Sequence, residues 1–196
     1  EDTNGVWHFA WCWRETPDVV TNFDICYTRS LDRGATWTTW DGRKLELPIT
    51  PKNAGAVEHI PQQSGLMNGG NFVVDTKGRP YIGYTRFDKD GYNQLYVATP
   101  VGETWKIVQL TDWKHRFYFE GRGTIPEYPP IPRISITDEK IQISYSNRYA
   151  ETNKGQFVLT RAQLLKNRPG EYTIQKSEDS TPAVPNIRAV NSGPLP

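Results

Sequence analysis

A turn signal followed by an alternating strand recurs along this 196-residue chain. The first two copies open at Asp2 and Asp75, and a looser third copy opens at Asp138. After the first turn, aromatic residues occupy every second position from 7 to 13, which is the period of a strand with two different faces. Further strand-like segments follow each copy, so the sequence predicts several sheets repeated along the chain. Only residues 159–166 predict a helical turn.

The composition supports an all-β fold. The chain has 7 Trp, 10 Tyr and 7 Phe beside 16 Gly and 15 Pro, which suits many short strands joined by turns. We expect a β-propeller segment of antiparallel sheet blades, because propellers repeat small sheets in this way. The expected blade units are residues 1–50, 70–111 and 130–176, followed by a tail at 177–196. A closed propeller needs at least four blades, whereas this sequence accounts for three to four. We therefore expect the chain to be the C-terminal part of a larger propeller.

An eight-residue motif begins at Ser30 and fits the Asp-box pattern of Ser, any, Asp, any, Gly, any, any, Trp. In such a hairpin the Asp32 carboxylate accepts hydrogen bonds from backbone N–H groups, and Gly34 permits a positive φ. Trp37 then folds under the hairpin. The motif predicts architecture and carries no chemistry of its own.

The charge pattern excludes two classes of partner. The chain carries 23 basic and 22 acidic residues, a net charge of +1, without a basic patch for nucleic acid. No apolar run approaches the ~18 residues of a membrane span, and the first residues lack the features of a signal peptide. We therefore expect neither nucleic acid nor a membrane as partner.

The two cysteines leave three interpretations open. A hairpin over residues 15–22 would place Cys12 roughly opposite Cys26 and Arg14 roughly opposite Asp24, which permits a cross-strand disulfide. Two packed thiols are the second interpretation. The third is a metal site that uses His8 or Asp24, although the spacing of a structural zinc site is absent.

Several segments together resemble the BNR-4 repeat family. They are residues 11–18 (WCWRETPD), 22–27 (NFDICY), 60–68 (IPQQSGLMN) and 75–82 (DTKGRPYI), beside the motif at Ser30. The resemblance implies a seven-bladed propeller similar to ulvan lyases and other lyases of rhamnose-glucuronate polysaccharides. It also implies a secreted or periplasmic protein, with structural calcium or zinc as family-level expectations. Two departures are Phe23, where relatives often carry His, and Gly69-Gly70 after Asn68.

Such lyases cleave by β-elimination, which needs a base, a group that stabilises the uronate carboxylate, and an acid for the leaving oxygen. The resemblance implies that most reacting groups lie upstream of this chain, so the catalytic residues are unknown. The candidates within it are His59, His115 and Tyr118. Predicted loops offer the following candidates for substrate binding: Arg14, Glu15, Asn22, Asn68, Asn71, Arg86, Arg116 and Arg122. Solvated loop polarity is the alternative for each, and His8 is predicted to pack within its strand.

The aromatic and basic segment at residues 113–123 has two interpretations. Its rings could stack on sugars while its arginines bind carboxylates. Equally, the segment could plug the space between blades by burying Phe117 and Phe119.

Three functions compete at this point. The leading one is a polysaccharide lyase that acts on an acidic, uronate-containing polysaccharide of the ulvan or rhamnose-glucuronate type. A sialidase-like glycoside hydrolase is the second, although hydrolysis needs two paired carboxylates, which the loops do not offer clearly. The third is a non-catalytic carbohydrate-binding propeller. Under each of them, the remaining blades could come from a second chain.

Overall fold

The computed structural model describes residues 1–68, 71–123, 127–151 and 153–166, together with residues 172, 175 and 176. It confirms an all-β fold. The strands are β1 Trp7–Arg14, β2 Asn22–Ser30, β3 Trp37–Thr38, β4 Lys44–Leu45, β5 Ala56–Glu58, β6 Asn71–Val74, β7 Pro80–Phe87, β8 Asn93–Val101, β9 Thr104–Gln109, β10 Arg133–Thr137, β11 Lys140–Ser146, β12 Lys154–Thr160 and β13 Gln175–Lys176. One short helix, α1, spans Arg161–Lys166 within the predicted helical turn, and a 3-10 turn spans Val19–Thr21. The predicted tail at 177–196 lies outside the described residues.

The strands form three antiparallel sheets in chain order. The first sheet runs β1-β2-β3-β4, with β5 paired to β2; the second runs β6-β7-β8-β9, and the third β10-β11-β12-β13. Apart from β5, neighbouring strands are sequential and need only short turns. The longer segments follow β5 and β9, where the chain passes from one sheet to the next, and with the β1/β2 and β7/β8 turns they build the candidate site.

Two apolar layers join the sheets. Ile25 of the first sheet and Ile82 of the second share one buried cluster, while Val97 and Ile143 belong to a second cluster between the second and third sheets. Alternation along β7 allows the middle sheet to contribute to both layers. At Gly83 the third sheet comes so close that an added Cβ would lie 2.6 Å from Cδ1 of Ile134. Glycine at this position therefore permits the close contact between these sheets.

The two faces of β1 differ in burial. His8 is buried, as predicted, whereas Phe9 on the opposite face is 51% exposed. The side chain of His8 lies between Asp2 and Tyr27, with Nε2 3.2 Å from the carboxylate and Nδ1 2.6 Å from the hydroxyl. A carboxylate only accepts, so Nε2 carries the hydrogen and the hydroxyl of Tyr27 donates to Nδ1. The tryptophan-bearing face of β1 is thus the more open one.

A β-bulge in the first hairpin changes the predicted register. Cys12 faces Ile25 and Trp13 faces Phe23, so Asp24 is the additional residue and adopts a φ of 50°. The prediction that Arg14 lies opposite Asp24 is therefore wrong; its partner is Asn22.

Of the three interpretations of the cysteines, the cross-strand disulfide is wrong. Cys12 and Cys26 are not joined, because Cys26 pairs with Trp11 and its side chain therefore lies on the other face of the hairpin from Cys12. Cys26 is buried, and burial raises the pKa of its thiol to about 12.

A recurring aspartate turn organises the chain. In each copy the carboxylate accepts hydrogen bonds from the backbone N–H two and four residues later and pairs with the side chain six residues later. The copies begin at Asp2, Asp75 and Asp88, and their sixth residues are His8, Tyr81 and Gln94. The sequence predicted the first two turns and missed the third. At Asp138 the structure instead has a two-residue hairpin turn with positive φ at Asp138 and Glu139.

The turn after β2 is held by two side chains. Asp32 Oδ1 accepts from the backbone N–H of Thr36 at 2.8 Å, and Ser30 Oγ accepts from that of Gly34 at 2.7 Å. Hydrogen bonds from the hydroxyl and the backbone N–H of Thr36, and from the hydroxyl of Ser30, lower the pKa of the Asp32 carboxyl to about 2. The ring of Trp37 packs edge-on against Phe9, with centroids 5.2 Å apart.

Candidate functional site

The long loops at one edge of the first two sheets enclose an open cleft of about 980 Å³. We call this region the loop edge; it comprises residues 14–24, 58–68, 86–94 and 112–123. Its segments are joined by backbone hydrogen bonds from Gln63 to Val20 (2.7 Å), from Phe87 to Ser64 (2.8 Å) and from Asn93 to the carbonyl of His115 (3.0 Å). A second hollow of about 600 Å³ shares Gln63, Phe87 and Arg116 with the cleft, so the two form one groove.

His59 lies at the rim of this cleft and is held by Asp24. Its Nδ1 lies 3.3 Å from Asp24 Oδ2, while Asp24 Oδ1 accepts from the backbone N–H of Ile60 at 2.8 Å. The His59 side chain is 86% exposed and that of Asp24 only 17%. A mostly buried carboxylate therefore holds an imidazole whose other nitrogen is open to the cleft.

A buried polar network forms the wall next to His59. Arg86 donates from Nη2 to Glu58 at 2.6 Å and lies over the ring of Tyr96, 3.9 Å from its centroid. Tyr84 donates its hydroxyl hydrogen to the same carboxylate. Burial lowers the pKa of Arg86, but the hydrogen bond and charge of Glu58 outweigh it and the pKa is raised. Burial raises the pKa of Tyr96 to about 12 and also raises that of Tyr84 well above its ordinary value.

Arg116 stands between the two halves of the groove. Its guanidinium carbon lies 3.8 Å from the centroid of the Phe87 ring, and Nη1 donates to the carbonyl of Gly91 at 3.0 Å. Among the described residues it forms no ion pair. This arrangement fixes an exposed cation with donors left over for an anion.

Arg14, Asn22 and Asn68 meet at the end of the first hairpin. Asn68 Oδ1 accepts from Arg14 Nη1 at 3.2 Å and from Asn22 Nδ2 at 3.1 Å. Asn22 is buried and also donates to the carbonyl of Leu66 at 2.9 Å. Glu15 accepts a hydrogen bond from Gln62 beside this group. The structure thus brings four of the predicted substrate-binding residues together.

The sequence of the chain matches the profile of one protein family. Residues 1–113, more than half of the chain, match the profile of the BNR repeat-containing family. The chain belongs to that family. No curated protein matches this BNR repeat chain.

Solved structures resemble the BNR repeat chain in fold. Two are structures of an ulvan lyase of polysaccharide lyase family PL25, one of them bound to a GlcA(1-4)Rha3S saccharide. Each has 14% sequence identity and a TM-score of 0.52, over 87% of this chain and 42% of the ulvan lyase chain. The BNR repeat chain therefore spans less than half the length of these lyases, and the likeness concerns the fold.

The other two catalytic candidates of the BNR repeat chain are less accessible or already engaged. The ring of His115 stacks on Tyr149 with centroids 3.7 Å apart, and its Nε2 lies 3.7 Å from Glu127. Tyr118 is exposed and donates to Glu120 at 2.9 Å, and this hydrogen bond raises its pKa.

The segment at 113–123 contributes both to packing and to the groove. Phe117 and Phe119 are buried, which favours the plug interpretation for these two rings, and Phe119 packs with Val19 and Phe87. Tyr118 points outward between them and lines the second hollow.

The last two predicted binding residues lie apart from the cleft. Asn71 begins β6 and donates to the carbonyl of Pro132 at 2.8 Å. Arg122 is exposed and pairs through its backbone with Asp18. Neither lines the cleft.

The carboxylates of the cleft are already engaged. Asp88 accepts from its own turn, Glu58 pairs with Arg86, and Asp90 and Asp112 pair with neighbouring lysines. Within the described ranges, no group of three or more His, Cys, Asp or Glu side chains could hold a metal ion. In the same part of the chain, no helix is long and apolar enough to span a membrane.

Proposed function

We propose that this chain contributes the loop-edge groove of a polysaccharide lyase that cleaves a uronate-containing polysaccharide of the ulvan or rhamnose-glucuronate type by β-elimination. The observation that carries the proposal is one open groove with an accessible imidazole, His59, and a fixed cation, Arg116. The similarity in fold to ulvan lyase supports the same proposal. Polysaccharides of this kind do not cross membranes, so the proposal includes a secreted or periplasmic location.

The chemistry of β-elimination agrees with these side chains. A uronate carboxylate must be held by a cation or amide while the proton on the adjacent carbon is removed. Arg116 has free donors in a planar fork that suits a carboxylate. Arg86 is already neutralised by Glu58, so its role in the proposal is to hold the wall of the groove. Arg14 and Asn68 would bind sugar hydroxyl groups further along, and the buried Asn22 would hold Asn68 in place.

The engaged carboxylates favour a lyase over a glycoside hydrolase. A hydrolase needs one carboxylic acid to protonate the leaving oxygen and one free carboxylate to act as base or nucleophile. Glu58 is paired with Arg86, and Asp88 is held by its own turn. Both would have to break existing hydrogen bonds to serve.

We further propose that the three sheets are blades of a propeller and that the turn after β2 is an Asp box. Each sheet packs face to face against the next, and the hydrogen bonds of Asp32 and Ser30 agree with that motif. In this arrangement the open face of β1, which carries Phe9, would receive another sheet of the same kind. That sheet would come from the same protein or from a second chain.

The test is product formation by the full-length protein. It is incubated with ulvan or a rhamnose-glucuronate polysaccharide while the ultraviolet absorbance of a conjugated unsaturated uronate is followed. A rise in absorbance supports the lyase. New reducing ends without such a rise contradict it and favour hydrolysis, and binding without products favours a carbohydrate-binding propeller.

A further inference from the structure

The β-bulge of the first hairpin is hydrogen-bonded to the loop that carries His59. Asp24 is the additional residue of the bulge, and its backbone N–H donates to the carbonyl of Ile60 at 3.0 Å. Its Oδ1 in turn accepts from the backbone N–H of Ile60 at 2.8 Å. A φ of 50° is uncommon for a residue other than glycine, and Asp and Asn adopt it most readily. The backbone thus aims this carboxylate at the loop that carries His59.

The second oxygen of the carboxylate determines the state of the imidazole. Asp24 Oδ2 accepts from His59 Nδ1 at 3.3 Å, and an ionised carboxylate cannot donate. The hydrogen of the neutral ring therefore resides on Nδ1, which leaves Nε2 as an acceptor facing the cleft. His8 provides the contrast within this chain, because its Nε2 faces Asp2 and its Nδ1 accepts from Tyr27. The two histidines thus hold opposite tautomers, and only the one at the cleft exposes its acceptor.

From this geometry we infer that Asp24 and His59 form a proton-accepting dyad, in which Asp24 is a positioning residue and His59 Nε2 removes the substrate proton. The inference rests on the proposed lyase function. The other charged groups around the cleft are already paired, except for Arg116. Arg116 and His59 line the same cleft, so a uronate held by Arg116 lies in the cleft to which His59 Nε2 is open.

The step balances without a further reagent. His59 Nε2 takes the proton from the carbon next to the carboxylate, and the electron pair of that C–H bond becomes the new carbon–carbon double bond. The bond from the neighbouring carbon to the glycosidic oxygen breaks, and this oxygen leaves with the bonding electrons. It takes a proton from water, and His59 returns its own proton to solvent.

Two substitutions in the full-length protein separate positioning from simple structural support. Asp24→Asn keeps a residue type that tolerates the positive φ, and its carbonyl oxygen can still accept from Ile60. The amide NH₂ then faces His59 Nδ1 and donates to it, which transfers the ring hydrogen to Nε2 and removes the acceptor. His59→Gln removes the imidazole altogether. Lys106→Gln, at an exposed lysine of β9 that does not line the cleft, is the control.

The tautomer is read from the ¹⁵N resonances of the imidazoles, with the His59 signals assigned by their loss in His59→Gln. We expect an Nδ1–H ring in the wild-type protein and an Nε2–H ring in Asp24→Asn. For the formation of unsaturated product, we expect a fall of about 10²-fold or more in kcat for His59→Gln. We expect a smaller fall in kcat for Asp24→Asn with KM retained, and wild-type kinetics for Lys106→Gln.

Three results would overturn the dyad: an unchanged tautomer in Asp24→Asn, an unchanged kcat in His59→Gln, or equal losses in all three variants. The proposed function fails separately. If the wild-type protein forms no unsaturated product, the lyase is rejected, whereas product formation that does not depend on His59 rejects the dyad alone.

Discussion

The guanidinium carbon of Arg116 lies over the ring of Phe87, 3.8 Å from its centroid, and Nη1 donates to the carbonyl of Gly91. A cation stacked on a ring and tethered at one end loses little further freedom when it binds a carboxylate. This pair therefore explains how an exposed arginine can be ready for an anionic sugar.

Arg116→Gln is expected to weaken the binding of an acidic oligosaccharide by about tenfold or more, because a charge-assisted hydrogen bond contributes roughly 1.5–3 kcal/mol. Titration calorimetry at two salt concentrations measures the affinity, and the affinity of the variant should also depend less on the salt concentration. Lys106→Gln, an exposed lysine on β9, serves as the control. If Arg116→Gln and the wild-type protein bind with equal affinity, Arg116 does not contribute to the binding site.

Tyr84→Phe is expected to lower the free energy of unfolding by about 1–3 kcal/mol, because it leaves one oxygen of Glu58 without its buried donor. Urea unfolding measures the change. Tyr128→Phe, at a ring that is 55% exposed, should be nearly neutral. Similar stability of the two variants would mean that the network beside the cleft does not need the hydroxyl of Tyr84.

His8 should make the protein less stable in mild acid. Burial lowers the pKa of its ring below the ordinary value of 6.5, so the unfolded chain binds the proton more readily than the folded one. The free energy of unfolding therefore falls as the pH drops below about 6.5, by at most about 1.4 kcal/mol per pH unit for this group, until the folded-state pKa is reached. In His8→Gln, this part of the pH dependence should disappear from urea unfolding curves. An unchanged slope between pH 7 and pH 5 would contradict the prediction.

Gly83→Ala tests the contact between the second and third sheets. The added methyl group would lie 2.6 Å from Cδ1 of Ile134, and we expect a loss of about 1–3 kcal/mol in the free energy of unfolding from overpacking. The second substitution Ile134→Val removes that Cδ1 atom and should restore part of the loss. If the double variant loses as much free energy of unfolding as the two single variants together, the two residues do not meet as described.

The sequence predicted the elements of the fold better than their registers. Alternation in residues 7–13 revealed β1, but no periodic pattern could show that Asp24 forms a bulge, because a bulge is one residue inserted into a regular pairing. That residue shifts the partner of Arg14 and separates the two cysteines onto opposite faces.

The site was predictable in its residue types and only partly in its contacts. Polar residues at strand ends suggested Arg14, Asn22 and Asn68, and the structure brings them together. The pairing of Asp24 with His59 spans 35 positions of sequence and depends on the bulge, so no local pattern indicated it. The engagement of Arg86 by Glu58 is equally non-local.

Elimination is distinguished from hydrolysis by digesting the acidic polysaccharide with the full-length protein in water enriched in heavy oxygen and weighing the products. Elimination adds no water across the glycosidic bond, so we expect fragments that carry an unsaturated uronate at one end and, when weighed before the reducing-end hemiacetal exchanges its oxygen with water, no incorporated heavy oxygen. Saturated fragments with one heavy oxygen each would contradict it, because they can arise only by hydrolysis.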